Sequence, residues 1–168
     1  MLGANAQQAA LVFLVLVTPI CAWVAWSDLK TMKIPNRAVL AMVAVFALAG
    51  PLVLPLGDWG WRWLHLVVVL GVGIVLNAMA HFGAGDAKFA AAMAPFFALA
   101  DAQLAMLLLA AFLLGAFAAH RLLRAIPAVR AMAPDWVSWR RADFPMGLAL
   151  IGALWAYLAI RAVTGAPA

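Results

Sequence analysis

The chain has 168 residues, 69% of them hydrophobic and only 10% charged, with a mean hydropathy of +1.08. A water-soluble domain of this length needs far more polar surface, so composition excludes a soluble enzyme or binding module. The net charge of +5 does not signal nucleic acid, because the basic residues lie between apolar runs, where they set topology and meet anionic headgroups.

Apolar segments fall at 9–27, 38–56, 63–80, 87–100, 102–119 and 144–162. The first begins after Met1–Gln8, which carries no positive charge, and is long for the apolar region of a signal peptide, so it reads as a retained helix. It contains Cys21, the only cysteine, which rules out an internal disulfide and a multi-cysteine zinc site. The fourth segment is short and holds Pro95. Merged with the fifth it would make a helix about 50 Å long, against a hydrocarbon core of about 30 Å, so a tight turn near Ala100–Gln103 is expected. The connection His120–Asp143 is basic and holds Trp136 and Trp139, expected at headgroup depth along the interface. No internal repeat suggests an inverted-repeat transporter.

The expected fold is therefore an all-α bundle of six transmembrane helices, forming one domain over residues 1–168 with no soluble part. Assigning alternate loops to one side gathers Lys30, Lys33, Arg37, Lys88, Arg121, Arg124, Arg130, Arg140 and Arg141 there, and leaves Arg62 and Arg161 opposite. Nine against two places that side in the cytoplasm and both termini outside it.

All six acids are aspartates. Asp58 and Asp101 fall in outer loops, where solvated turn residues are expected. Asp135 and Asp143 lie in the long cytoplasmic connection, and Asp143 is placed to cap the last helix. Asp28 and Asp86 differ. Asp28 ends the first helix, where the macrodipole disfavours a carboxylate. Asp86 opens the fourth, where an N-cap role is also open. Both fall on the cytoplasmic face, on helices that a compact bundle can bring together. Two carboxyls sharing a proton can split their acidities, so that one takes a proton from water and the other gives one to a carbonyl oxygen. That is the chemistry of peptide hydrolysis by an aspartyl dyad.

Three stretches resemble a known family. Asp28-Leu29-Lys30-Thr31-Met32-Lys33-Ile34-Pro35-Asn36 is similar to the Asp…Ile-Pro-Asn signature of type IV prepilin peptidases. Gly83-Ala84-Gly85-Asp86-Ala87-Lys88 is similar to their Gly-x-Gly-Asp-x-Lys signature. Phe144-Pro145-Met146-Gly147-Leu148-Ala149 resembles the element that opens their last helix, with Met146 in place of an aromatic. The resemblance implies a membrane aspartyl endopeptidase with catalytic Asp28 and Asp86. It would remove the basic leader from prepilins and pseudopilins at the cytoplasmic face of the inner membrane. Larger members carry a cysteine-bearing insertion after the first helix and also methylate the new N-terminus. This chain has neither the insertion nor a second cysteine, so it resembles the minimal Tad/Flp type without methyltransferase activity.

Around the aspartates, Gly83 and Gly85 are expected to let the backbone turn tightly and approach substrate. Lys30 and Lys88 either tune the carboxylates or serve the positive-inside pattern and bind lipid phosphate. Pro35-Asn36 is expected to start the second helix. Asn77 and His81 share a helix face, with packing and interfacial roles favoured, and His65 and His120 sit at span ends. No spacing of ligand residues makes a metal site, and no cofactor is expected. Membrane lipids and leader peptides are the expected partners, with no oligomeric state assigned. The alternatives are an archaeal-type preflagellin peptidase with the same chemistry and a non-enzymatic transporter or assembly subunit. Acids at one interface speak against the latter.

Overall fold

The computed structural model describes residues 5–80 and 83–165. Among the described residues seven α-helices carry the fold: α1 (Ala6–Thr31), α2 (Asn36–Val53), α3 (Leu56–Ala80), α4 (Ala84–Met93), α5 (Ala102–Ala125), α6 (Pro127–Met132) and α7 (Gly147–Thr164). Single 3-10 turns follow at Ala94–Phe96, Leu99–Asp101 and Val137–Trp139, and no strand occurs among the described residues. The all-α membrane bundle is the observed architecture. Helices α1, α2, α3, α5 and α7 are long and apolar enough to cross a membrane. As expected, α2 starts directly after Pro35.

The fourth expected span is different. Helix α4 has ten residues, about 15 Å of rise, and then gives way to two 3-10 turns. Pro95 explains the break, since it has no amide hydrogen and its ring would collide with the carbonyl one turn back. The segment nevertheless runs the length of the bundle. Its start shares a cavity with Asp28, which is bonded to Gly147, and its end at Asp101 pairs with Arg161. Gly147 and Arg161 stand about 21 Å apart along α7. Irregular backbone at membrane depth survives only where protein covers it. Here Phe89, Pro95 and Phe96 are fully buried, and the freed Ala98 N–H donates to the Tyr157 hydroxyl at 3.1 Å.

The core forms where α1, α2 and α7 pack around this broken segment. Phe13 on α1, Phe46 on α2 and Phe96 are mutually in contact, with ring centroids 5.1–6.0 Å apart. Each such aromatic pair adds about 0.5–1.5 kcal/mol beyond the area it buries. Helix α3 approaches α4 closely because residue 73 is glycine: a Cβ there would stand 2.8 Å from the Ala87 Cβ. Such small-residue contacts let helix backbones meet where apolar burial gives no drive. The outer faces of α3 and α5 expose Val67, Ile74, Leu107 and Leu114, an apolar surface suited to lipid and not to water.

Four expectations need correction. Helix α5 continues to Ala125, so His120 is a buried helical residue and not the start of a loop. Trp139 is packed within the protein and not exposed along the connection: its ring stacks on His120 at 5.2 Å and on Trp136 at 5.4 Å, and its indole N–H donates to the Ala133 carbonyl. Asp143 pairs with Arg141 in an exposed contact, while Met146 occupies the N-cap of α7. Asp101 is not a solvated turn residue. It is buried, accepts a hydrogen bond from the Tyr157 hydroxyl at 2.8 Å and forms an ion pair with Arg161. His81 lies outside the described residues.

Candidate active site

Asp28 lies one turn before the end of α1 and is 4% exposed. Helix α1 closes on Met32, whose left-handed backbone (φ 55°) lets its N–H reach the Asp28 carbonyl at 2.9 Å. Ser27 Oγ donates to the Lys33 carbonyl at 2.8 Å and ties the reversed chain back to the helix. This short return brings Ile34 beneath the aspartate, where it is buried.

The carboxylate, disfavoured by the C-terminal end of its own helix, meets the N-terminal end of another. The Gly147 N–H, the first of α7, donates to Asp28 Oδ2 at 2.7 Å. The exposed amides and the dipole at a helix start favour negative charge. A Cβ on residue 147 would stand 2.7 Å from the same oxygen and 3.2 Å from the Ile34 Cδ1. Only glycine leaves that space open. The Pro145-Met146-Gly147 element therefore positions Asp28, a role that its place in the sequence, more than a hundred residues away, did not show.

Asp86 sits in the first turn of α4, where Gly83 is the N-cap, so Asp86 does not cap its helix. Its carboxyl folds back over Gly83, and a Cβ on Gly83 would collide with Oδ2. Gly83 has an ordinary negative φ, so the need for glycine here is space and not backbone freedom. Gly85 is less constrained, since an added Cβ would find Ile34 at an ordinary 3.7 Å. Asp86 lies outside the five membrane-length helices. Its pKa is raised from 3.8 to about 6, first by burial and then by the neighbouring Asp28 carboxylate.

Asp28 and Asp86 line one cavity of about 630 Å³, together with Ile34, Gly83, Phe144 and Met146. Lys33, Arg141 and Asp143 also reach its lining, whereas Lys30 and Lys88 do not. Lys30 instead lies over the Trp26 ring at 6.0 Å, and Lys88 is exposed. No group of three histidine, cysteine or acidic side chains with metal-ligand placement occurs among the described residues.

The model of the type IV leader peptidase family matches residues 12–120, which include both aspartates. The chain belongs to that family. It is a type IV leader peptidase-like protease of multi-pass membrane form. No match is found among curated proteins or among solved structures. The family match ends before the Pro145-Met146-Gly147 element, so geometry, not the family model, links that element to the aspartates.

Proposed function

We propose that this leader peptidase is an aspartyl endopeptidase in which Asp28 and Asp86 act as one dyad. The observation that carries the reading is that two carboxyls from separate helices line a single cavity, where burial first and the charge of Asp28 second raise the pKa of Asp86. Buried acids in that relation share protons, so one is ionised while its partner stays protonated. The Gly147 N–H bonds Asp28 Oδ2 and fixes that carboxyl at the cavity wall. Asp28 takes a proton from the attacking water, and Asp86 donates one to the scissile carbonyl oxygen. When the tetrahedral intermediate collapses, the amine leaves with a proton returned through the pair. Because the two groups titrate together, the roles belong to the dyad and exchange over the cycle.

The substrates under this reading are prepilins and pseudopilins, cut between a basic leader and an apolar helix. The basic residues Lys33, Arg121 and Arg141 share the pole of the cavity, which favours a cytoplasmic site in the inner membrane, with both termini on the far side. Only residues 32–35 separate α1 from α2. That leaves no place for the cysteine-bearing insertion of the bifunctional members, so the chain is of the minimal Tad/Flp type and leaves the new N-terminus unmethylated. Co-expression with a candidate prepilin tests the proposal. Wild type is expected to shorten it, and Asp28→Asn and Asp86→Asn to leave it full length at equal expression. Cleavage by either variant at the wild-type level removes the dyad.

A further inference from the structure

A second concavity adjoins the acid-lined one. It is an apolar groove of about 880 Å³ bounded by the end of α1, by α5 and α6, and by the start of α7. Leu29 and Leu148, the chain neighbours of Asp28 and Gly147, line it, so the groove opens beside the site. Its floor is a stripe of small residues on α5, Ala111, Gly115 and Ala119, one turn apart on one face. Stripes of this kind are where a second helix backbone approaches in a membrane. No helix among the described residues takes that place: an added Cβ at Gly115 would have nothing within 4 Å.

His120 adds a polar demand to this apolar surface. It lines the groove and is 3% exposed, yet neither ring nitrogen has a hydrogen-bond partner among the described residues. Its ring stacks on Trp139, and Phe144, which also lines the acid cavity, lies 6.0 Å away. Buried polar groups left unpaired are costly and rare. A lipid acyl chain cannot supply the missing partner. A helix that carries a hydrogen-bonding side chain near its end can.

We infer that this groove seats the apolar helix of the substrate, with the α5 stripe against its backbone and His120 bonded to a polar side chain near the cut. The inference rests on the leader peptidase reading above and adds the surface that holds the substrate. The α5 wall of the groove from Ala111 to Leu123 is about 18 Å long, enough for about three turns of bound helix, and its acid-cavity end places the helix terminus at Asp28. A membrane-anchored substrate is thereby held by its helix while its extended leader enters the cavity.

Filling the groove tests this. Gly115→Leu adds a side chain where nothing is packed, so the fold is expected to keep its thermal stability in detergent. KM for full-length membrane precursor should rise about tenfold or more with kcat little changed, the signature of lost uniform binding. A soluble peptide holding only the leader and the junction should be cut as by wild type. His120→Phe, which keeps the ring stack, should raise KM for the full-length precursor several-fold, and His120→Gln should restore much of it. A photo-reactive benzoyl-phenylalanine at position 115, in an Asp86→Asn background, should form an adduct with the precursor. Unchanged cleavage of the precursor by Gly115→Leu, equal loss on both substrates, or adducts only with lipid or a second copy would each overturn the inference. Failure of the peptidase reading looks different: wild type then cuts neither substrate.

Discussion

The two poles of the bundle treat aspartate in opposite ways. At one pole Asp101 is buried in company, bonded to Tyr157 and paired with Arg161, with the buried Arg62 lining the same small cavity. At the other pole Asp28 and Asp86 face a shared cavity, and among the described residues neither forms an ion pair. The first arrangement holds a charge still and fastens the end of the broken fourth segment to α7. The second leaves two acids competing for protons, supported by one backbone N–H and by the absence of side chains at Gly83 and Gly147. Burial alone does not mark a functional acid; what surrounds it does.

Removing the charge at each pole should therefore have opposite effects on stability. Asp101→Asn leaves the part-buried Arg161 without its partner and should cost about 1–3 kcal/mol, less than breaking a fully buried pair, read as a lowered midpoint of thermal unfolding in detergent. Cleavage per folded molecule should stay near wild type. Asp86→Asn should instead stabilise. Asp86 holds its proton up to about pH 6 in the folded chain, against 3.8 for the ordinary carboxyl. Folded protein therefore keeps an extra proton between those values, and stability falls as pH rises through that window. The substitution removes this penalty. Its gain, at most about 3 kcal/mol, should be complete above pH 6 and vanish below about pH 4, while cleavage should be lost. Matching midpoints for wild type and Asp86→Asn at pH 7 would contradict the raised pKa.

The glycines sharpen the contrast through activity. Gly147→Ala inserts a Cβ 2.7 Å from the Asp28 carboxylate, and displacing a reacting group by about 1 Å can cost about 10²-fold in rate. Its cleavage rate should fall by that order with the bundle intact. Gly83→Ala displaces a terminal carboxyl that can rotate, so a smaller loss is expected, about tenfold. Gly85→Ala, where the added methyl makes only ordinary contact with Ile34, should stay within about twofold of wild type. A ranking in which Gly85→Ala is the most damaged of the three, measured by precursor cleavage, would break this account of the site.

Much of this was legible from the chain. Apolar length marked the five long helices, Pro35 marked the start of α2, and the two aspartate signatures marked the residues that line the cavity. Pro95 was visible too, but only the packed structure shows that the fourth segment breaks there and still crosses the bundle. Asp101 was misread because its partners lie 56 and 60 residues further on, on α7, and a lone acid between apolar runs looks the same whether solvated or paired. Gly147 and Trp139 were obscured for the same reason. Their roles depend on Asp28 and His120, contacts made between helices that sequence spacing does not encode.

The most direct test of the central claim is a set of cleavage rates on one purified precursor for wild type, Asp28→Asn, Asp86→Asn and the double variant. Groups that act as a unit are strongly non-additive. Each single substitution should lower the rate by about 10²–10⁴-fold, and the double variant should be no slower than the slower single one. Losses that multiply in the double variant, or a single variant that keeps wild-type cleavage, would contradict the dyad.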